Sequence, residues 1–195
     1  AGGGASPYRI NLDGMAGTSF RDITVRGGDS LFVFVEVTVD PRGYDNPFQV
    51  RDSLLFALEN GITQQVQLSA YSQDATVIRG LVVSHDTRLT ARRPYLVYDS
   101  LRVDEGCTLF LEPGTRLYFN DKVEMQVHGR VEAIGTVDMP VVFRGARTDH
   151  MFSYLPYDRL SAQWGGITLH ESSIDNVFVH CDIHSGTYGL RVRGN

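Results

Sequence analysis

The sequence predicts an all-β protein, an immunoglobulin-like β-sandwich followed by the coils of a parallel β-solenoid. Three observations carry this reading. The 195 residues are 42% hydrophobic and 21% charged with 20 glycines, a globular balance rich in strand and turn formers. In the first half, apolar residues alternate with a period of two. In the second half, pairs of aliphatic residues recur about every 22–24 positions.

The chain opens "AGGGASPYRI", and residues 1–7 read as a flexible leader. The sandwich is expected over residues 8–92. Leu31, Val33, Val35, Val37 and Val39 alternate with Phe32, Phe34, Glu36 and Thr38, the pattern of a strand. "DPRGYDNP", residues 40–47, is dense in turn formers and predicts a loop. "DSLLFALENG", residues 52–61, fits a short helix capped by Asp52 or a buried strand, and strands on both sides favour the strand. "ITQQVQLSAYS" puts Val66, Leu68 and Ala70 on one face and Gln65, Gln67 and Ser69 on the other, a strand with one wet side. "TARRPY", residues 90–95, reads as the linker to the next domain.

The solenoid is expected over residues 93–195. Leu101/Val103, Leu109/Leu111, Leu117/Phe119, Met125/Val127, Val131/Ala133 and Val141/Phe143 are inward-type pairs separated by turns. Leu101 and Met125 are 24 positions apart, as are Leu117 and Val141. After an insertion, Ile167/Leu169, Val177/Val179 and Leu190/Val192 repeat the theme. Each coil offers apolar rows that only another coil can bury, so the period itself predicts stacking. An antiparallel sandwich is the alternative use of the same short strands. Pro113-Gly114, Asn120-Asp121 and Gly129 are placed at corners. The pattern runs to "GLRVRGN" without a capping segment, which predicts further coils beyond Asn195.

Charge and cysteine content narrow the function. A formal charge of −5 offers no basic excess for phosphates, so no nucleic-acid partner is expected. No apolar run is long enough for a membrane helix. Cys107 and Cys181 read as small core hydrophobes, with pairing in an oxidising compartment as the alternative. No cofactor is indicated.

Gly28-Asp29-Ser30-Leu31 carries the four letters that name a family of serine esterases. That resemblance implies a helix after the serine and a distal Asp-x-x-His. Here a strand follows and no Asp-x-x-His occurs. Without a positioned base a serine hydroxyl is a poor nucleophile, so no catalytic residue is assigned.

"L-x-V-x-x-G-x-T-L-x-L-x-P-G-T-x-L-x-F" (101–119), "V-x-G-x-V-x-A-x-G-T" (127–136), "P-V-V-F-R-G" (140–145) and "W-G-G-I" (164–167) resemble the opening coils of right-handed parallel β-helix proteins. With "DSLFVFVEVTVDP" and "VQLSAYSQD" upstream, nearly the whole chain resembles surface lipoproteins of the Bacteroidetes bacteria, in which a β-sandwich precedes such a helix. The resemblance implies an extracellular or outer-membrane location and O-glycosylation at Asp-Ser followed by an aliphatic residue. Ser30, Ser53 and Ser100 match that signal, although Asp-Ser-Leu is also ordinary turn-to-strand chemistry. The lipid-bearing cysteine of the group does not occur in this chain, so membrane contact is expected only through an anchor it lacks.

Two clusters stand out as candidate sites. In "HCDIH", His180, Asp182 and His184 would all point outward if the stretch were one strand. The two histidines would then lie roughly 13 Å apart, too far for one metal ion, and a solvated polar face is the simpler account. In the insertion 144–164, Phe152, Tyr154, Tyr157 and Trp164 stand beside Arg147 and Arg159. Aromatic faces with nearby hydrogen bonders suit sugar rings, and packing of the insertion onto the solenoid is the alternative. Glu124, Glu132, Glu171 and Asp175 are scattered and form no evident hydrolytic pair. The expectation is a non-enzymatic surface protein that binds polysaccharide or another surface or outer-membrane protein, or forms part of such an assembly. The alternative is a polysaccharide lyase or glycoside hydrolase with its active site in coils beyond residue 195.

Overall fold

The computed structural model describes residues 3–40, 43 and 48–194. The chain divides into two units, Ala1–Asp74 and Ala75–Asn195. Among the described residues there is no α-helix, and almost all regular structure is β.

The first unit is antiparallel. β1 (Tyr8–Leu12), β2 (Met15–Gly17) and β3 (Val33–Val37) form a sheet in the order β2-β1-β3. β4 (Phe48–Ala57) and β5 (Thr63–Ser72) form a hairpin, paired from Phe48↔Ser72 to Ala57↔Thr63. The ambiguous 52–61 stretch is therefore strand to Ala57 and turn thereafter. The Leu58 N–H closes that turn on the Ile62 carbonyl at 2.9 Å, with Gly61 at φ 81°. Along β5, Leu68 and Ala70 are half-buried and Gln65, Gln67 and Ser69 exposed, as expected of one wet side, but Val66 is exposed as well, so the expected alternation holds only toward the end of the strand. Among the described residues of this unit, Tyr8, Leu12 and Val50 are the buried hydrophobic ones, and the Tyr8 hydroxyl donates to the Val50 carbonyl at 3.0 Å. Phe32 and Phe34 stay in solvent. The expected leader is in part structured: Gly3–Ala5 forms a 3-10 turn and Ser6 is buried, while residues 1 and 2 lie outside the described residues. Most of the loop expected over 40–47 also lies outside them.

The second unit is a parallel β-solenoid with three faces. Face a stacks the first half of β6 (Thr76–Val83), the first half of β8 (Tyr95–Val103), β10 (Arg116–Phe119), β13 (Val141–Gly145) and β18 (Cys181–Ile183). Face b stacks the second halves of β6 and β8, then β11 (Glu124–Val127), β16 (Gly166–Leu169) and β19 (Leu190–Val192). Face c stacks β7 (Thr87–Leu89), β9 (Thr108–Leu111), β12 (Arg130–Ile134) and β17 (Val177–Val179). Parallel pairing thus begins at Thr76, upstream of the boundary at residues 92/93 read from the sequence. The stretch 90–95, read as a linker, is instead a corner of the first coil over 90–94 followed by the start of β8 at Tyr95: Pro94 is buried, and its carbonyl accepts the Thr76 N–H at 2.9 Å.

Inside, the rows meet as the period requires. Leu81, Leu101, Met125, Ile167 and Leu190 are paired in succession along face b. Leu101, Met125 and Ile167 have no exposed surface at all. Each such side chain contributes roughly 1.5–3 kcal/mol through burial, and the row forms only when the coils stack. On face a, Leu117 pairs with Phe143 and not with Val141, because the corner through Gly135–Pro140 is longer than its counterpart one coil earlier. Inward facing survives because the shift is by two residues.

The bend from face a to face b has a backbone signature. Every coil places a residue with positive φ there: Gly80 (61°), Asp99 (65°), Lys122 (60°), Ala162 (61°) and Ser185 (58°). A residue in the left-handed region redirects the chain sharply, and only the first of these five is glycine.

Candidate functional site

The longest departure from the coil is the insertion between β13 and β16. It carries a small hairpin, β14 (His150–Phe152) with β15 (Leu155–Pro156), and a 3-10 turn at Tyr157–Arg159. The chain returns to the coil through Trp164, whose ring is wholly buried and stacks on Phe119 with centroids 4.4 Å apart. The indole N–H donates to the His184 carbonyl at 2.8 Å. Trp164 is therefore a core residue, and the expectation that it belongs to an exposed aromatic platform is corrected. A tryptophan inserted where the corner chain opens supplies the apolar area that the insertion would otherwise remove from the core.

A chain of charges fastens the insertion. Arg144 on β13 contacts Asp158 of the 3-10 turn at 2.9 Å, and its guanidinium lies 5.0 Å over the Tyr118 ring. The same Asp158 oxygen lies 2.8 Å from His184 Nε2. His184 Nδ1 lies 2.8 Å from Asp182. Burial alone would push the His184 imidazole down, but its hydrogen bonds to Asp182 and Asp158 and their negative charges outweigh burial and raise it. When protonated, a histidine held by a carboxylate at each nitrogen donates twice and keeps no lone pair for a metal or a substrate proton. Asp158, Asp182 and His184 line an open cleft of about 540 Å³, together with Arg159, Ser161 and Ser185.

"HCDIH" is not one strand. β17 ends at Val179, His180 sits at φ 47°, and β18 begins at Cys181. Phe178, not Val177 or Val179, pairs with Ala133 and packs against the core. Cys181 and Ile183 face inward beyond the corner. The outward row expected of His180, Asp182 and His184 on one strand is therefore corrected, because the corner at His180 divides it; among the described residues no three His, Cys, Asp or Glu side chains are grouped to hold a metal ion. Both cysteines are free thiols, each in a half-buried residue, and burial pushes the Cys181 thiol up.

The remaining aromatic candidates part ways. Phe152 and Tyr154 are 54% and 77% exposed and stack on each other, with centroids 5.7 Å apart and planes within 12°. Tyr157 lies beneath Arg147, whose guanidinium is 3.3 Å from the ring centroid and also grips Asp149. Arg159 reaches the cleft. Ser30 and Ser100 are exposed and Ser53 is half-buried. In two of the three repeats the Asp side chain accepts the N–H of the following serine, Asp29 at 2.8 Å and Asp52 at 2.7 Å. Sequence reasoning did not single out Arg144 or Asp158, which become neighbours of His184 only once the coils stack.

No family model matches the chain, and neither a curated protein nor a solved structure shows significant similarity to it.

Proposed function

We propose that the chain is a non-enzymatic glycan-binding protein of the cell surface, with the insertion hairpin as its recognition element. One observation carries this reading: Phe152 and Tyr154 form an exposed, mutually stacked aromatic pair on a hairpin that Arg144, Asp158 and His184 tie to a rigid coil. Two large aromatic residues left in solvent have no packing role, and flat aromatic surface beside hydrogen bonders is what a sugar ring requires. Asp182, Arg159 and Ser161 supply those bonders in the adjoining cleft. Hydrogen bonding fully occupies His184, which favours binding over proton-transfer chemistry.

The same reading gives the chain an extracellular or outer-membrane location, with a surface polysaccharide or another surface protein as partner. Ser30 and Ser100 are then the accessible positions for O-linked sugars, and Ser53 a less accessible one. In this account the first unit is an immunoglobulin-like sandwich, a reading suggested by the antiparallel sheet of β1, β2 and β3. The solenoid is right-handed in this account, the hand that parallel strand crossovers strongly prefer.

A glycan array probed with the 195-residue chain tests the proposal. Neutral or acidic oligosaccharides should be retained, and the Phe152→Ala/Tyr154→Ala variant should lose the neutral ones while keeping its unfolding midpoint. Equal retention by a folded double variant would overturn the hairpin as the recognition element.

A further inference from the structure

Face b carries a second polar surface. Gln126, Thr168 and Arg191 share the outward register of successive strands, Gln126 half-buried, Thr168 without exposed surface and Arg191 exposed. Just beyond the strand ends, His128 and His170 stack face to face, with centroids 3.9 Å apart and planes within 12°. The Gln126 amide donates to the Glu124 carboxylate, and its carbonyl oxygen lies 2.6 Å from His170 Nε2. With Gln126 so oriented, the proton sits on Nε2, and in neutral His170 the Nδ1 lone pair is left as an acceptor. Burial first, then the charges of His128 and Arg193, hold the His170 imidazole below its ordinary value against the opposing pull of Glu124 and Glu171. Nearby, Tyr188 shares a 2.8 Å hydrogen bond with Thr168, and the Arg191 guanidinium lies 3.7 Å over its ring.

The charges around this surface are unevenly matched. Glu124 is engaged by Gln126, and Asp104 by Arg102 at 2.8 Å. Among the described residues, neither Arg191 nor Arg193 has an acidic partner. A guanidinium over a ring face keeps N–H donors for a second partner, and paired N–H donors of one guanidinium match a planar carboxylate.

We infer that the outward face of β11, β16 and β19 binds a carboxylate-bearing sugar, a uronic acid unit, with its carboxylate on Arg191 and Arg193. The ring hydroxyls donate to His170 Nδ1 and exchange hydrogen bonds with Tyr188. This deepens the reading of the chain as a glycan binder, but it uses none of the hairpin residues. Calorimetric titration of the whole chain with galacturonate oligomers, neutral galactose oligomers and inorganic phosphate tests it. The uronate oligomers should bind, with affinity falling as salt rises, phosphate should give no saturable heat, and binding of the neutral oligomers should vanish in Phe152→Ala/Tyr154→Ala. Arg191→Gln and Arg193→Gln, both at exposed positions, should each weaken uronate binding at least tenfold, and Phe152→Ala/Tyr154→Ala should leave it unchanged. Absence of uronate binding, or phosphate binding of equal strength, would overturn the inference. Uronate binding that falls in the hairpin variant and persists in both arginine variants would overturn it too, leaving the hairpin reading in place.

Discussion

The indole N–H of Trp164 ends on the carbonyl of His184 at 2.8 Å, so the sole tryptophan is tied to the residue that clamps the insertion. The ring also stacks on Phe119 and has no exposed surface. Trp164→Ala should cost about 3–5 kcal/mol, the range for large aromatic truncations in cores. Trp164→Phe keeps most of the stacking area but leaves the His184 carbonyl without its donor, at about 1–3 kcal/mol. Urea unfolding followed by circular dichroism checks the order wild type, Phe, Ala. A Phe variant as damaged as the Ala variant would show that the hydrogen bond outweighs the ring.

The His184 clamp should weaken with alkali. Its folded pKa is raised, so the folded state holds the proton more tightly than the unfolded chain, whose ordinary value is 6.5. The contribution is therefore fully present below about pH 6.5 and disappears as pH rises through the folded value. Asp182 on β18, Asp158 on the 3-10 turn and Arg144 behind Asp158 are the charged groups facing the ring. An NMR titration of the imidazole should show protonation persisting above 6.5, and His184→Gln should flatten the stability loss on the alkaline side. A His184 midpoint at or below 6.5 would contradict the clamp.

Burial makes a similar demand on Cys181. Its sulfur lies 3.4 Å from the Ala133 carbonyl, and its thiol is pushed up by burial. Since the thiolate is the reactive species, Cys181 should react with a disulfide reagent more slowly at pH 8 than a free thiol in solution. Mass spectrometry of the labelled protein locates the modification, and labelling of Cys181 at the solution rate would overturn its assignment to the inner wall.

How much of this was legible beforehand depended on the range of the signal. The face b row was readable because Leu101 and Met125 repeat an alternation that local sequence carries, and their stacking follows from the period. Leu117 was matched to Val141 because spacing alone assumes corners of equal length, whereas the register depends on the turn between. "HCDIH" looked like one outward row because alternation continues through His180 in sequence, while a left-handed residue turns the chain there. The corner at Lys122 was marked beforehand by Asn120-Asp121, whereas Ala162 and Ser185 do not themselves advertise a left-handed conformation. The clamp was half visible: His184 and Asp182 were singled out, but Asp158 and Arg144 come from the insertion and the preceding rung. The first coil was assigned to the sandwich because β6 and β7 show the same short-strand pattern and only their partners make them solenoid.

The left-handed corners give a prediction of opposite sign. Ala162 is exposed at φ 61°, with no side-chain group to hydrogen-bond its own backbone. An L-residue there costs roughly 1–2 kcal/mol, partly offset on replacement by the greater freedom of glycine in the unfolded chain. Ala162→Gly should therefore stabilise by about 0.5–1 kcal/mol, read as an upward shift in the urea midpoint with unchanged slope. A lower midpoint would mean the corner does not hold Ala162 in that region in solution.

The stacked row itself is open to a coupling test. Leu101 and Met125 are paired neighbours, whereas Leu101 and Ile167 are separated by the rung that carries Met125. Neighbouring strands lie about 4.8 Å apart, so two rungs span roughly 10 Å. Truncating each residue to alanine should cost about 2–5 kcal/mol. In the Leu101→Ala/Met125→Ala pair the two cavities merge, and the double cost should depart from the sum by at least about 0.5 kcal/mol. The Leu101→Ala/Ile167→Ala pair should add to within about 0.5 kcal/mol, because Met125 remains packed between the two sites. Urea unfolding of the five variants would measure both cycles. A solenoid stabilised rung by rung must show the first coupling larger than the second, since each coil draws its burial from the coils beside it. Equal couplings would mean the interior packs as one undivided core, and the stacking principle from which the other placements derive would lose its energetic basis.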